Sequence, residues 1–268
     1  MEKYLEFTVI AAIITTIGSL IALFIKDFLF TRYFDNFKEK ESLNKIYKRY
    51  RDPLVLASNE LLRRLLEIYY EFPTTFLQSD IIKLNPEKSI LKTTDDEYFR
   101  KYKLISTLYR FCSLFGWIEL YRNEITFLET HSVKKTAKLL ELFHNLKSAI
   151  ADGHHNKHSD SIEWEDSLIF REELRMIGEE MIVKEDGNKI IMGYKKFNEI
   201  FEEYSKNENV KWIKIVLNFW LDCKTEKDFR NERIRLMILS LFDLVEFLDG
   251  YNYYKDLKSK RIKFAPME

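Results

Sequence analysis

The sequence predicts a mainly α-helical protein: a single N-terminal transmembrane helix, then an α-helical cytoplasmic domain with one small β-hairpin. Three observations carry that prediction. Phe7 to Ile25 reads FTVIAAIITTIGSLIALFI, 19 residues without a charge. Only 7 glycines and 4 prolines occur among 268 residues, too few for the turns of a β-sandwich or barrel. After residue 50, apolar residues recur at the three- and four-residue spacing of helices that bury one face. The chain then divides into an N-terminal tail and transmembrane helix (1–25), a juxtamembrane helical stalk (26–52) and a helical cytoplasmic domain (53–268).

The apolar run comes first. At 1.5 Å rise per residue it spans roughly 28 Å, close to the hydrocarbon thickness of a bilayer. A cleaved signal and a buried core helix are the other readings of such a run. Its amino side carries Glu2 and Glu6 as well as Lys3, the run is longer than a usual signal core, and Lys26, Asp27 and Phe28 follow where small residues would mark cleavage. Lys26, Arg32, Lys38, Lys40, Lys45, Lys48, Arg49 and Arg51 crowd the carboxyl side. The positive-inside rule therefore places the main domain in the cytoplasm and the N-terminus outside, with the bilayer as first partner. Cys112 and Cys223 then stay thiols in a reducing compartment. Ala11, Thr15, Ser19 and Ala22 form one stripe, with Thr16 and Gly18 beside it. Small residues so spaced let spans pack closely as a homo-oligomer, or line a pore; a plain anchor has the same composition.

Past the span, Phe28, Tyr33, Phe34 and Phe37 suit the membrane interface. Asp52-Pro53 has the form of a helix start, Asp as N-cap and Pro in the first turn, and Pro73 a stop. Residues 73–94 read as irregular. Asp95 or Asp96 caps the next helix, apolar almost all round after Leu104 and so a core helix. A helix is expected over 132–150, a polar loop over 151–167, and a helix from Leu168 to Met181. Asp186-Gly187, between Ile182-Val183 and Ile190-Ile191, supplies the two positive-φ residues of a type I′ hairpin turn. Helices follow at 194–206, 209–222 and 226–249, the last capped by Thr225 and closed by Gly250.

Lys+Arg and Asp+Glu both number 43, so net charge supplies no bulk attraction to nucleic acid. Neither GxGxxG, GxxxxGK[ST] nor GxSxG occurs, which removes P-loop, dinucleotide and α/β-hydrolase chemistry. No catalytic residue, cofactor or metal is expected. His154 and His158 are four apart beside Asp152 and Asp160, but the run reads as a solvated loop. The carboxylates from Asp160 to Glu180 are irregularly spaced and mixed with Arg171 and Arg175. Tyr254, Lys258, Lys260 and Arg261 interleave cations with aromatics, a pattern for single-stranded nucleic acid or acidic lipid; a frayed helix end carries the same residues. Arg122 and Arg171 each follow an apolar run. Such arginines pair with carboxylates, here Glu119 or Glu173, or bind an anionic ligand.

Three segments carry a resemblance. Arg51-Asp52-Pro53-Leu54 continues into Glu60-Leu61-Leu62-Arg63-Arg64-Leu65; Thr107-Leu108-Tyr109 leads to Phe115-Gly116-Trp117-Ile118-Glu119 and Arg122; Phe170-Arg171-Glu172-Glu173 leads to Ile177-Gly178-Glu179. With the span, these resemble an uncharacterised bacterial family of membrane-anchored helical proteins, over roughly residues 5–182. The layout is also similar to transmembrane effectors of antiphage systems, including the oligonucleotide-gated channels of Hailong-type defence. The expectation that follows is an oligomeric membrane effector or channel whose cytoplasmic domain senses a nucleotide, an oligonucleotide or a cognate partner protein. The alternatives are a membrane-tethered scaffold without a pore and a membrane-bound enzyme built on residues 160–180.

Overall fold

The computed structural model describes residues 2–26, 31–71, 74–83, 96–126, 128, 133–153, 168–207, 209–223, 229–252 and 254–264. Helix α1 (Glu2–Phe24) contains the apolar run, and the window Phe7–Phe24 has mean hydropathy 2.3 with 0% buried against the rest of the chain. It is long and apolar enough to cross a membrane, and that exposure is not the burial of a core helix.

Helix α2 (Thr31–Glu71) runs unbroken for 41 residues, about 60 Å. The start expected at Asp52-Pro53 is therefore corrected: Pro53 lies inside the helix. Proline there removes one backbone donor and crowds the carbonyl four residues earlier, typically at a cost of about 3 kcal/mol. The apolar stripe of Leu43, Tyr47, Tyr50, Leu54, Leu61 and Leu65 is buried on both sides of it. A break at Pro53 would pull half of that stripe from its partners, and packing against helices α3 (Glu97–Ile125) and α8 (Phe229–Asp249) keeps the helix whole. The last part of the expected stalk, from Leu43, is thus core.

Two short 3-10 turns, Thr74–Leu77 and Ser79–Lys83, occupy part of the segment read as irregular; they bury Phe76, Leu77 and Ile81. Of the two expected caps, Asp96 starts α3, its carboxylate accepting from the Phe99 N–H at 3.0 Å. Helix α4 (Lys134–Ala151) follows, then α5 (Arg171–Glu180), and β1 (Ile182–Glu185) pairs antiparallel with β2 (Asn188–Ile191). Asp186 at φ 49° and Gly187 at φ 80° make the expected primed turn. Next come α6 (Tyr194–Asn207), α7 (Lys211–Trp220) and α8, closed by Gly250 at φ 62°. Thr225, expected to cap α8, lies outside the described residues. The chain's last described helix, α9 (Lys255–Phe264), is no frayed end. Leu257 is buried, and the Phe264 ring packs 5.1 Å from Tyr69 and 6.2 Å from Phe242.

Helix α3 is central. It packs against α2 on one side and α5 on the other, with α6 and β2 beside it. Its Phe111 and Phe115 join Phe219 and Trp220 of α7 in an aromatic cluster. Cys112 and Cys223 are buried thiols. Burial raises the Cys112 pKa far above the ordinary thiol range.

Candidate functional site

Two glycines set the spacing of the helices that carry the site. A Cβ at Gly178 of α5 would lie 2.7 Å from the Phe115 carbonyl oxygen of α3. One at Gly116 of α3 would lie 2.8 Å from the Met181 Cβ. Without side chains at these points, α5 lies directly on α3, and α4 packs against α5. At the start of α5 the Glu173 carboxylate accepts from the Phe170 N–H at 2.9 Å, which fixes where Arg171 begins the helix.

Where these three helices converge there is a cavity of about 250 Å³. Arg122 comes from α3, Phe143, His144 and Lys147 from α4, and Arg171 and Arg175 from α5. Four cations in so small a space need counter-charge, and each has it. Glu119, only 2% exposed, accepts from Arg122 at 2.8 and 2.9 Å and from Lys147 at 2.6 Å. Asp152 takes Arg171 through Nε and Nη2 at 2.7 to 3.0 Å. Arg171 Nη1 lies 3.4 Å from His144 Nδ1. Glu179 accepts from Arg175 Nε at 2.9 Å. Burial pushes the Lys147 pKa down against the opposing pull of Glu119, while the Glu179 bond holds Arg175 up. Glu119 and Asp152 thus hold Arg122, Lys147 and Arg171 from the buried side, Glu172 lines the cavity with them, and Arg122 and Arg175 stay about half exposed. Such a cluster suits an anion that competes for these donors, a phosphate or a carboxylate.

The structure brings Arg122 and Arg171 together and pairs Arg122 with Glu119 as expected. Arg171 takes Asp152 rather than Glu173, because Glu173 is engaged in capping its own helix. Lys147, Arg175 and His144 were not among the expected ligand-binding residues. Lys147 could have been found: it lies four residues after Phe143 on the buried stripe of α4, where a charge is out of pattern.

The other candidates lie elsewhere. Arg261 is engaged by Asp243, Glu246 and the Tyr251 hydroxyl. The Tyr254 ring sits 5.9 Å from the Arg63 guanidinium, Lys260 is 3.9 Å from Asp256, and Lys258 is exposed. On α1 the hydroxyls of Thr15, Thr16 and Ser19 donate to the carbonyls of Ala11, Ala12 and Thr15, each at 2.8 Å. Ala11 and Ala22 are exposed, and Gly18 has nothing within 4 Å of a built Cβ. His154, His158 and the carboxylates from Asp160 to Asp166 lie outside the described residues. No family model matches the chain, and neither a curated protein nor a solved structure matches it.

Proposed function

We propose that this protein is an oligomeric single-pass effector of the bacterial inner membrane, set in antiphage defence as its resemblance implies. Its helical domain hangs in the cytoplasm and senses a nucleotide or oligonucleotide through phosphate, at the cavity of Arg122, Lys147, Arg171 and Arg175. The spans, packed along Ala11, Thr15, Gly18, Ser19 and Ala22, respond as a channel. The observation that carries the sensing half is the cavity itself, where cations from three helices meet. The membrane half rests on the uncovered apolar face of α1 and the cations that follow it. Ligand binding gates the spans to the extent that it favours one arrangement over the other.

The test is reconstitution of the full chain in liposomes, with ion flux recorded before and after nucleotides and short oligonucleotides are added. Flux on addition, lost in Arg122→Glu/Arg171→Glu, is the expected result. Persistent monomers in detergent, with no flux, would overturn it. A tethered scaffold is the second reading, favoured by hydroxyls on α1 that already bond to their own helix. Replacing residues 7–25 with an unrelated leucine-rich span separates the two, since a scaffold keeps working and a channel fails.

A further inference from the structure

A second cavity, of about 610 Å³, opens at the other end of α3, where α6 lies across it. Its volume is within the range of about 300–1,000 Å³ usual for small-molecule sites. Tyr98 and Tyr102, one helical turn apart on α3, line one wall, and Tyr194 of α6 lines the other. Tyr98 and Tyr102 remain 39% and 44% exposed, so their packing within the chain does not account for them. Tyr194 is held firmly from behind. Its ring meets Tyr109 edge-on at 5.4 Å, Tyr109 meets Phe197 at 5.5 Å, and Phe197 meets Trp212 at 5.8 Å. Tyr102 stands 6.4 Å from Tyr194, nearly edge-on. Tyr194 is thus a wall set by its own packing before any ligand arrives.

The charges decide what those walls take. Lys101, 6% exposed, is cancelled by Glu202 at 3.0 Å. Lys195 and Glu199 balance one another on α6. A phosphate site needs a net positive lining and this one is neutral; an organic cation, which ring faces alone can hold, is the competing ligand. What remains is ring area and a polar edge. Asn198 brings one amide, donor and acceptor side by side, which matches the edge of a heteroaromatic ring. Burial, with Tyr102 and Tyr98 next in effect, pushes the Tyr194 phenol up to about 12, so it remains a neutral donor.

We infer that this cleft binds a nucleobase by stacking on the exposed side formed by Tyr98 and Tyr102, with Tyr194 edge-on to that side and Asn198 reading the base's edge. The site is independent of the basic cavity. Tyr102 and Arg122 are about 30 Å apart along α3, too far for one mononucleotide to bridge.

The test uses the full chain in detergent, titrated by calorimetry with adenosine, guanosine, cytidine and uridine, none of which carries a phosphate. Choline serves as the cationic competitor, and a single-stranded hexanucleotide as the other source of bases. At least one nucleoside is expected to bind with Kd below about 1 mM. Tyr98→Ala and Tyr102→Ala should each weaken it by about fivefold to a hundredfold, the range found for lost base stacking. Tyr98→Phe and Tyr102→Phe keep the ring face and should keep affinity within about threefold. A hexanucleotide that binds more tightly through the same tyrosines identifies a strand as the source; equal affinity identifies the free nucleoside. Arg122→Glu/Arg171→Glu should leave nucleoside affinity unchanged, so the two cavities can fail separately. No nucleoside binding, choline binding in its place, or binding indifferent to both alanine variants in folded protein would overturn the inference.

Discussion

Gly178→Ala tests whether close approach of α3 and α5 builds the basic cavity. The added Cβ would sit 2.7 Å from the Phe115 carbonyl oxygen and 2.6 Å from the Glu119 Cγ, whereas ordinary contact begins near 3.4 Å. The two helices must therefore part by about 0.7 Å, a gap that forfeits a quarter to a half of the dispersion between atoms across it. Overpacking of this kind costs about 1–3 kcal/mol. With two contacts this short, one of them to backbone, the upper part of that range applies, about 2–3 kcal/mol; alanine returns about 1 kcal/mol of helix propensity to α5, so the net loss is about 1–2 kcal/mol. For a domain of this size that lowers Tm by about 2–8 °C. The assay is thermal unfolding of the full chain followed by circular dichroism. Gly193→Ala, with nothing within 4 Å of its Cβ, is the control and should not move. Because Glu119 is one of the atoms struck, the variant should also weaken the ligand response of the cavity. A Tm equal to or above that of the parent, or an equal fall in the control, would refute the reasoning.

Glu119→Gln should destabilise by about 3–5 kcal/mol, because it strands the buried Lys147 ammonium; Glu119→Leu/Lys147→Met should recover most of the loss in the same melts. Pro53→Ala restores a donor toward the Arg49 carbonyl in a helix that already runs through this point, and should stabilise by about 1–2 kcal/mol in urea unfolding. Gly18→Leu places bulk where the isolated chain has only open space. If spans pack there, the particle mass in detergent should fall with no change in the melting of the helical domain. Burial raises the phenol pKa of Tyr47, Tyr50, Tyr109, Tyr121, Tyr194 and Tyr251. Above pH 10 the unfolded chain loses these protons while the folded chain keeps them, so Tm should fall steadily as pH rises from 10 toward the folded value of about 12 at Tyr194.

Features set by neighbours in sequence were legible. The hairpin needed only Asp186-Gly187 between two apolar pairs, since backbone sterics at two residues select that turn. The Asp96 cap and the pairing of Arg122 with Glu119 across three residues are likewise local. Distant partners were not legible. Arg171 finds Asp152 across the segment between α4 and α5, and no periodicity announces which carboxylate will arrive. Nor does the pattern of α9 reveal that Phe264 reaches Tyr69. The tyrosine cleft joins Tyr98 and Tyr102 to Tyr194 only because α6 returns across α3.

The case of α2 shows how a local signal and a longer one can disagree in the same stretch. Asp52-Pro53 has the chemistry of a helix start, and read over four residues it would end one helix and begin another. Read from 43 to 68, the buried residues step 43, 47, 50, 54, 57, 61, 65 and 68, by three or four each time, and the phase is unchanged across Pro53. A true break would have reset that phase, because two helices joined by a turn have no reason to share one stripe. Arg64, 3% exposed, lies beside the same stripe; it donates to the Ser106 hydroxyl of α3 at 3.2 Å and packs over Phe76. The rod that begins seven residues after α1 is thus locked along its side to the helix carrying both cavities. Under the proposed function, a ligand that shifts α3 has to move α2 with it or strip that stripe, because the two helices pack along their length.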